Sequence, residues 1–425
     1  MINFIVISLI AFAFIVLRVK YKDTFMKFKS FVFALIIFIM VLYIVLYPRE
    51  IIDATRDGII LWANVVLPSL LPFFIGAELL VGLGIVKFIG VLIEPIIRPI
   101  FNVPGEASFV FAMSITSGYP MGVKLTSDLR RNNIITKNEA QRIISFCSTS
   151  GPLFMIGSVA IGMFNNPSIG PYLVLAHYLS VITVGIIFRF IYVDEIQVSK
   201  RYTEKRNIFK EAVNQMFKKR QQDSRTFGKL LGDSVKEAIS TLVLVGGLIV
   251  TFSVVTRELY LIGLIDYLIS AVKFITKNTI LIPNEWIEAT VIGFIEITMG
   301  CKITSDALTI PLTSQIILAT MIISWSGLSV HAQSASIING TDINMNSYIL
   351  SKFFHAIISG IYVHFMLKLS NFTLNPIPKE VFSQGIRNIA YYSWVSKLLF
   401  SSYMLLTIVI VLIFIGFFIA LIKNK

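Results

Sequence analysis

Two short segments of this sequence combine glycine, lysine, threonine, serine and aspartate in the same order. The first covers residues 122–128 and recurs at residues 300–306. Glycine lets a ligand or another backbone approach closely, and an interrupted helix leaves amide donors unpaired. Free N–H groups at a helix N-terminus attract carboxylate or phosphate groups. With Lys124 and Lys302 added, the pattern favours a small ligand with two negative groups.

The same segments also have a purely structural interpretation. Lysines near the ends of membrane helices extend toward the water interface, and Asp128 or Asp306 would neutralise them or cap a helix. Both interpretations stay open at the level of sequence. The candidate substrate-binding residues from these segments are Gly122, Lys124, Thr126, Gly300, Lys302 and Thr304.

Hydroxyl and amide side chains form a second pair of clusters inside apolar segments. One cluster covers residues 148–152, and its counterpart lies within residues 324–333. These groups would hydrogen-bond a polar solute, although serine and threonine hydroxyls also donate to carbonyls of their own helix. The candidate binding residues from the two clusters are Ser148, Ser150, Ser326 and Gln333.

Two apolar segments contain features that are candidates for a functional site: one is too short to span the membrane, and the other contains a carboxylate. Residues 106–119 are too short to span a bilayer alone and end in the sequence Ser-Gly-Tyr-Pro, a pattern typical of re-entrant or broken transporter helices. Glu296 lies inside another apolar run, where a carboxylate costs roughly 2.5 kcal/mol or more. It is either a functional group or a helix-end residue that reaches water.

The order of these landmarks indicates an internal duplication. Three pairs of segments keep their order and nearly constant separation: residues 122–128 with 300–306, 148–151 with 324–327, and 185–190 with 360–365. Chance similarity between apolar segments rarely preserves polar landmarks in this way. Duplicated halves give many membrane carriers two exchangeable conformations around a central site, and the broken segments mark that site.

The elements that position these residues must be membrane helices. The 425 residues are 56% hydrophobic and 14% charged, with a mean hydropathy of +0.79. At roughly 20 residues per crossing, this content allows on the order of ten membrane segments at most. Helices are expected because lipid offers no partners for backbone polar groups. We therefore predict an all-α polytopic membrane protein made of two repeated halves with re-entrant or broken helices.

Several classes of function are excluded at this stage. The net charge of +13 would suggest nucleic acid as the partner of a soluble protein, but the basic residues cluster in loops, where orientation in the membrane explains them. Cys147 and Cys301 have neither disulfide nor metal-ligand spacing, and the four histidines are scattered. We expect a lipid bilayer as the surroundings, and no nucleic-acid partner, metal, cofactor or enzymatic activity.

The apolar runs and the charged stretches divide the chain into six parts. Residues 1–17 are apolar without a preceding basic region or a following cleavage site, so they are interpreted as a membrane helix instead of a secretory signal. The parts are a membrane hairpin at 1–49, a first repeat at 50–192, a basic cytoplasmic linker at 193–233, a second repeat at 234–370, an interfacial segment at 371–397 and a membrane helix at 398–425.

Five further stretches of the chain can be compared with known families: residues 101–105, 117–125, 176–178, 294–300 and 327–333. Together they resemble the sporulation integral membrane proteins of endospore-forming bacteria known as the YlbJ or SpoVV family. The similarity extends over about residues 50–370, and its most specific part is the sequence Ser117-Gly118-Tyr119-Pro120.

This resemblance implies two nucleoside-recognition, or Gate, domains related to those of concentrative nucleoside transporters. It also implies a carrier in the outer forespore membrane that moves dipicolinic acid from the mother cell toward the spore. Such a dianion cannot cross lipid unaided, because desolvating it costs on the order of tens of kcal/mol. Under this resemblance, the two lysines, the helix N-termini and the ring of Tyr119, with Ser117 and Gly118 beside it, would contact the substrate.

Two other functions stay open beside this one. The first is a carrier for nucleosides or another organic anion, since a fold does not determine a substrate. The second is a membrane scaffold that recruits spore-envelope proteins without transporting anything. For a carrier we expect alternating access at a site between the repeats, driven by the substrate gradient or by a coupling ion. The driving ion, the oligomeric state and the relative orientation of the repeats stay open as well.

Overall fold

Helices form the regular structure of this computed structural model, which describes residues 22–192, 208–275 and 282–369. Five helical stretches within these residues are long and apolar enough to cross a membrane: Pro48–Gly82, Pro167–Ile191, Phe227–Leu261, Leu312–Ile338 and Met345–Leu369. The prediction of an all-α polytopic membrane protein is confirmed. The segments predicted at residues 1–17, 371–397 and 398–425 lie outside the described residues, as does the linker before residue 208.

The first half of the molecule follows α1 (Lys22–Leu46), the first helix among the described residues. Its helices are α2 (Pro48–Gly82), α3 (Ile85–Phe101), α4 (Glu106–Ser117), α5 (Met121–Arg131), α6 (Lys137–Cys147), the π-helical α7 (Phe154–Met163) and α8 (Gly170–Ile191). Helix α2 is continuous but contains a π-helical turn at Trp62–Val66.

The second half repeats this order after a helix in the basic linker, α9 (Ile208–Gln222), which packs against α3. Its helices are α10 (Phe227–Leu261), α11 (Leu264–Ile275), α12 (Asn284–Ile295), α13 (Ile297–Asp306), α14 (Leu312–Trp325), α15 (Gly327–Ile338) and α16 (Met345–Leu369). Helices α2 and α10 both have 35 residues, and each later helix has a counterpart in the same order. The predicted duplication is therefore present in the fold.

The two halves pack together through equivalent contacts. Helix α2 packs on its counterpart α10, and α8 packs on its counterpart α16. The other contacts come in matched pairs, α5 with α15 and α13 with α7, then α6 with α16 and α14 with α8. Reciprocal contacts of this kind are expected when two similar units are related by an approximate two-fold axis.

Local sequence explains where the helices of the first half are interrupted. Gly118 ends α4 with a φ of 71°, which glycine adopts without the strain that a side chain would add. Pro120 precedes α5, where its missing N–H breaks no helical hydrogen bond. Helix α6 ends before Ser148, and Pro152 begins the next helical segment four residues further on.

The second half has interruptions at the equivalent points, formed by different residues. Glu296 adopts an extended conformation, and its carboxylate caps α13 by accepting the Met299 N–H at 2.7 Å. Ser326 and Gly327 both have left-handed φ angles, 74° and 76°, which end α14. Proline and glycine are therefore one way to break these helices, and a capping carboxylate is another.

The hydrophobic core joins the two halves, and the outer surface is apolar. The main core cluster includes Leu70 and Leu173 from the first half together with Leu242 and Ile322 from the second. Across the same contact, the indole N–H of Trp62 donates to the carbonyl of Leu242 at 2.9 Å. Large apolar side chains are also exposed on the outer helices, as expected of a surface that contacts lipid.

Candidate functional site

A cavity of about 160 Å³ lies where the interrupted helices of the two halves approach each other. Residues 116–120 and residues between 150 and 154 line it from the first half, and residues 296–298, Ser329, Val330 and Gln333 contribute from the second. Apolar side chains of α2 and α10 complete the wall. The cavity therefore combines an apolar surface with the hydroxyl, amide and carboxylate groups found at the breaks.

The predicted site residues divide into two groups by their position relative to this cavity. Those that line it are Ser117, Gly118, Tyr119, Ser150, Glu296 and Gln333. Those that do not line it are Gly122, Lys124, Thr126, Ser148, Gly300, Lys302, Thr304 and Ser326. The predicted residues that line the cavity all come from the breaks, whereas none of the candidates from the two repeated segments lies there, and Ser148 and Ser326 are break residues that do not line it.

The two repeated lysines lie away from the cavity. Lys124 is exposed on α5. Lys302 is partly exposed on α13, where its ammonium donates to Asp306 Oδ1 at 2.6 Å. This ion pair within one helix is the neutralisation that the sequence left open as the alternative to ligand binding. The two ammonium groups therefore do not meet at the cavity between the halves.

The two repeated glycines allow close contact between backbones. A Cβ atom on Gly122 would lie 1.8 Å from the carbonyl oxygen of Cys147, at the end of α6. A Cβ atom on Gly300 would lie 2.2 Å from the Cα of Gly293, on the other arm of its hairpin. At both positions the neighbour is protein backbone, so these glycines permit helix packing in the observed conformation.

Several of the predicted hydroxyl groups are bonded to their own helices. Thr126 donates to the carbonyl of Gly122 at 2.7 Å, and Thr304 donates to the carbonyl of Gly300 at the same distance. The hydroxyl of Ser326 donates to the carbonyl of the preceding residue. These hydroxyls therefore bond to the backbone of their own helices, which is the alternative to ligand binding that the sequence left open.

Within each half, the two interruptions contact one another through a glycine. A Cβ atom on Gly118 would lie 3.1 Å from the backbone nitrogen of Gly151. In the second half, a Cβ atom on Gly327 would lie 3.0 Å from the carbonyl oxygen of Ile295 and from the nitrogen of Ile297. The breaks are thus packed as pairs, which holds the cavity-lining residues of each half together.

A buried lysine that the sequence analysis did not select lies behind the Tyr119 wall of the cavity. Lys352, on α16, is 0% exposed. Its ammonium donates to the Tyr119 hydroxyl at 2.8 Å and to the carbonyl of Ser148 at 3.0 Å, and lies 3.1 Å from Nδ1 of His355. It forms no ion pair with an acidic residue in the part of the chain described here.

Two buried histidines extend this cluster to the interrupted helix α14–α15. His355 donates from Nε2 to the carbonyl of His177 at 3.1 Å, which leaves its Nδ1 to accept from Lys352. Nε2 of His177 accepts the Ser150 N–H at 3.2 Å, and its Nδ1 lies 2.9 Å from the Ser324 hydroxyl. The network therefore joins the breaks of both halves through the long helices α8 and α16.

One signal in the sequence could have identified this cluster. Lys352 lies within the apolar run at residues 348–367, and an ionisable residue inside a membrane segment is a functional candidate by default. His177 and His355 also lie within apolar runs, but the sequence does not indicate that they meet, because they are far apart in the chain. Only the fold brings the rings of His177 and His355 to a centroid distance of 4.5 Å.

Comparisons with known proteins identify relatives of this chain. A family model described as nucleoside recognition, the Gate family, matches residues 63–170. The sporulation integral membrane protein YlbJ of Bacillus subtilis is 38% identical over 329 residues, covering 76% of this chain and 79% of that protein. An uncharacterized protein of Alkalihalophilus pseudofirmus is 31% identical over 145 residues, covering 33% of this chain and 29% of its own length.

Two solved structures of CNTnw are also similar. A variant in an intermediate state shares 13% identity, covers 86% of this chain and 92% of its own chain, and has a TM-score of 0.45. An inward-facing, substrate-bound state shares 14% identity, covers 82% of this chain and 87% of its own chain, and has a TM-score of 0.41.

Proposed function

We propose a function for this chain on one premise: it belongs to the family of the sporulation integral membrane protein YlbJ. The chain is a carrier for dipicolinic acid, pyridine-2,6-dicarboxylate. It moves this dianion across the outer forespore membrane, from the mother cell toward the developing spore, by alternating access at the cavity between the two halves. The substrate gradient or a coupling ion supplies the driving force.

The observation that supports this proposal best is the shared cavity. Interrupted helices from both halves line it, and a carrier needs its site at the interface of two units that can exchange conformations. The apolar side chains of α2 and α10 suit a flat ring, and the side chains of Ser117, Ser150 and Gln333 suit carboxylate oxygens. The carboxylate of Glu296 is held by the N-terminus of α13, which lowers its repulsion of an anion.

A second candidate substrate is a nucleoside. The Gate model that matches residues 63–170 is described as nucleoside recognition, and a nucleoside also combines a flat ring with hydroxyl groups. The Glu296 carboxylate would accept hydrogen bonds from those hydroxyls. Dipicolinate and nucleosides differ chiefly in charge, so direct comparison of the two solutes separates the candidates.

Transport by the purified full-length chain in lipid vesicles tests the proposal. We expect uptake of labelled dipicolinate that exceeds uptake of uridine, and an imposed sodium or proton gradient identifies any coupling ion. Gln333→Ala, which changes the cavity wall, should reduce uptake, whereas Gln222→Ala, exposed on α9, should not. Uptake of uridine alone would favour the nucleoside carrier, and uptake of neither solute would favour a scaffold.

The same proposal predicts a phenotype in spores. Deletion of the gene should lower the dipicolinate content of the spores, and the wild-type gene should restore it. Complementation with Lys124→Gln and Lys302→Gln variants tests whether the two repeated lysines contribute, as the sequence suggested. Normal dipicolinate content in the deletion strain would overturn the proposal.

A further inference from the structure

We infer that Lys352 is the residue that selects for anionic solutes, and that it binds one carboxylate of the solute when the Tyr119 side chain withdraws. The inference rests on the proposed carrier function and assigns its charge-recognising group. The ligand class is an organic carboxylate, and Lys352 is the one buried lysine among the residues whose side-chain burial the structure describes.

The partners of Lys352 satisfy its hydrogen bonds without neutralising its charge. A phenol hydroxyl, a backbone carbonyl and an imidazole nitrogen surround the ammonium, one for each of its three N–H groups. All three partners are uncharged acceptors. A buried ammonium without a carboxylate is costly, so an anion that reached it would gain more than a neutral solute would.

Tyr119 is the side chain that separates Lys352 from the cavity. It lines the cavity. Its hydroxyl accepts a hydrogen bond from Lys352, and the centroid of its ring lies 4.7 Å from the ammonium nitrogen. The hydroxyl also donates to the carbonyl of Ile323 at 3.2 Å and contacts the Ser326 side chain. A carboxylate in place of the phenol exchanges a neutral acceptor for a charged one, which forms the stronger hydrogen bond.

The two halves are asymmetric at this point. The residue of the first half that corresponds to Lys352 is His177, whose ring nitrogens are hydrogen-bonded to Thr149, Ser150 and Ser324. The cluster therefore presents one lysine, and a dicarboxylate would place one carboxylate on Lys352 and the other on hydroxyl groups at the cavity wall. Lys124, which is exposed on α5, and Lys302, which is paired with Asp306 on α13, take no part in this arrangement.

Binding to the purified full-length protein tests the assignment. The probes are dipicolinate and its neutral isostere pyridine-2,6-dicarboxamide, measured by isothermal titration calorimetry. We expect Lys352→Gln to weaken dipicolinate binding by about tenfold or more and to leave diamide binding nearly unchanged, because only the charge-assisted bond is lost. Lys352→Arg should keep the preference for the dianion, and Lys368→Gln, exposed near the end of the same helix, should bind as wild type.

A second variant covers the case in which Lys352→Gln does not fold. Tyr119→Phe removes the phenol oxygen that competes for Lys352 and should strengthen dipicolinate binding without strengthening diamide binding. Equal dipicolinate affinity in wild type and Lys352→Gln, or no gain in Tyr119→Phe, would overturn the inference while leaving the carrier function intact. Failure of the wild-type protein to bind dipicolinate at all would instead overturn the proposed function.

Discussion

His177 and Lys352 occupy equivalent positions on α8 and α16, and each contacts the interrupted helix of the opposite half. Nδ1 of His177 lies 2.9 Å from the Ser324 hydroxyl, and the ammonium of Lys352 donates to the carbonyl of Ser148 at 3.0 Å. The two contacts are related by the repeat. A movement of one half against the other would therefore have to break both, which links the conformation of the breaks to the packing of the long helices.

The first prediction distinguishes the contact of His177 with Ser324 from the contact of Lys352 with Ser148. Ser324→Ala leaves the Nδ1 group of buried His177 without its partner, which costs about 1–3 kcal/mol. Ser148→Ala keeps the acceptor of Lys352, because that acceptor is a backbone carbonyl, and it leaves the Tyr348 hydroxyl, which Ser148 also contacts, bonded to Ser334. Chemical unfolding of the purified protein in micelles should show a larger loss of stability for Ser324→Ala. Equal losses would argue against the His177 contact.

The second prediction concerns the glycine at the break of the second half. Gly327→Ala adds a Cβ atom 3.0 Å from two backbone atoms at a φ of 76°, whereas Gly340→Ala adds one into open space at a φ of 79°. Both variants carry left-handed strain of about 1 kcal/mol or more, but only the first adds a steric clash. Gly327→Ala should melt at the lower temperature. Identical melting temperatures would show that the breaks are not closely packed.

The third prediction concerns the carboxylate at the cavity. Glu296→Ala removes the group that accepts the Met299 N–H and should destabilise the protein by about 0.5–2 kcal/mol, as loss of a helix cap does. Glu296→Gln retains an acceptor oxygen and should stay closer to wild type. Because Gln carries no negative charge, this variant should bind dipicolinate at least as tightly as wild type. Weaker binding would indicate that the carboxylate itself contacts the solute.

The fourth prediction is a dependence of stability on pH at the contact between the halves. Arg130 donates to both carboxylate oxygens of Asp342 at 2.8 and 2.9 Å, and this interaction holds the pKa of Asp342 below its ordinary value. Since the folded pKa is the lower one, the stabilisation is present above a pH of about 4 and is lost as the pH falls through the folded pKa.

Asp342→Asn should therefore lower stability at neutral pH and have little effect in acid. The pair is partly exposed, so the difference should be about 0.2–1 kcal/mol. Thermal melts of wild type and variant at several pH values measure it. A difference that persists unchanged to low pH would mean that the asparagine acts on packing instead of on charge.

Much of the fold could be predicted from local sequence. Long apolar runs indicate membrane helices, and the repeated landmarks at residues 122–128 and 300–306 indicate two equivalent halves. Gly118 and Pro120 indicate the first interruption directly, because neither residue continues a helix well. The break at Glu296 is less visible, since a capping carboxylate has no sequence signature as strong as proline.

The cavity residues were predicted from the same interruptions. Ser150 and Gln333 follow from the argument that polar groups at broken helices mark a site, Tyr119 follows from the family resemblance, and the fold brings all three to one cavity. Lys124 and Lys302 were selected for their charge, but the direction in which a helical side chain points depends on how the helix is rotated against its neighbours. That rotation depends on packing across the whole molecule.

The sequence by itself determined the helices, their interruptions and the duplication, because each depends on residues close together in the chain. Only the tertiary structure decided that Lys352, His177 and His355 form one buried cluster behind Tyr119. Those residues come from different halves, and the contact of α8 with α16 is what brings them together. No local pattern encodes such a contact, since it arises from the combined packing of helices far apart in the chain.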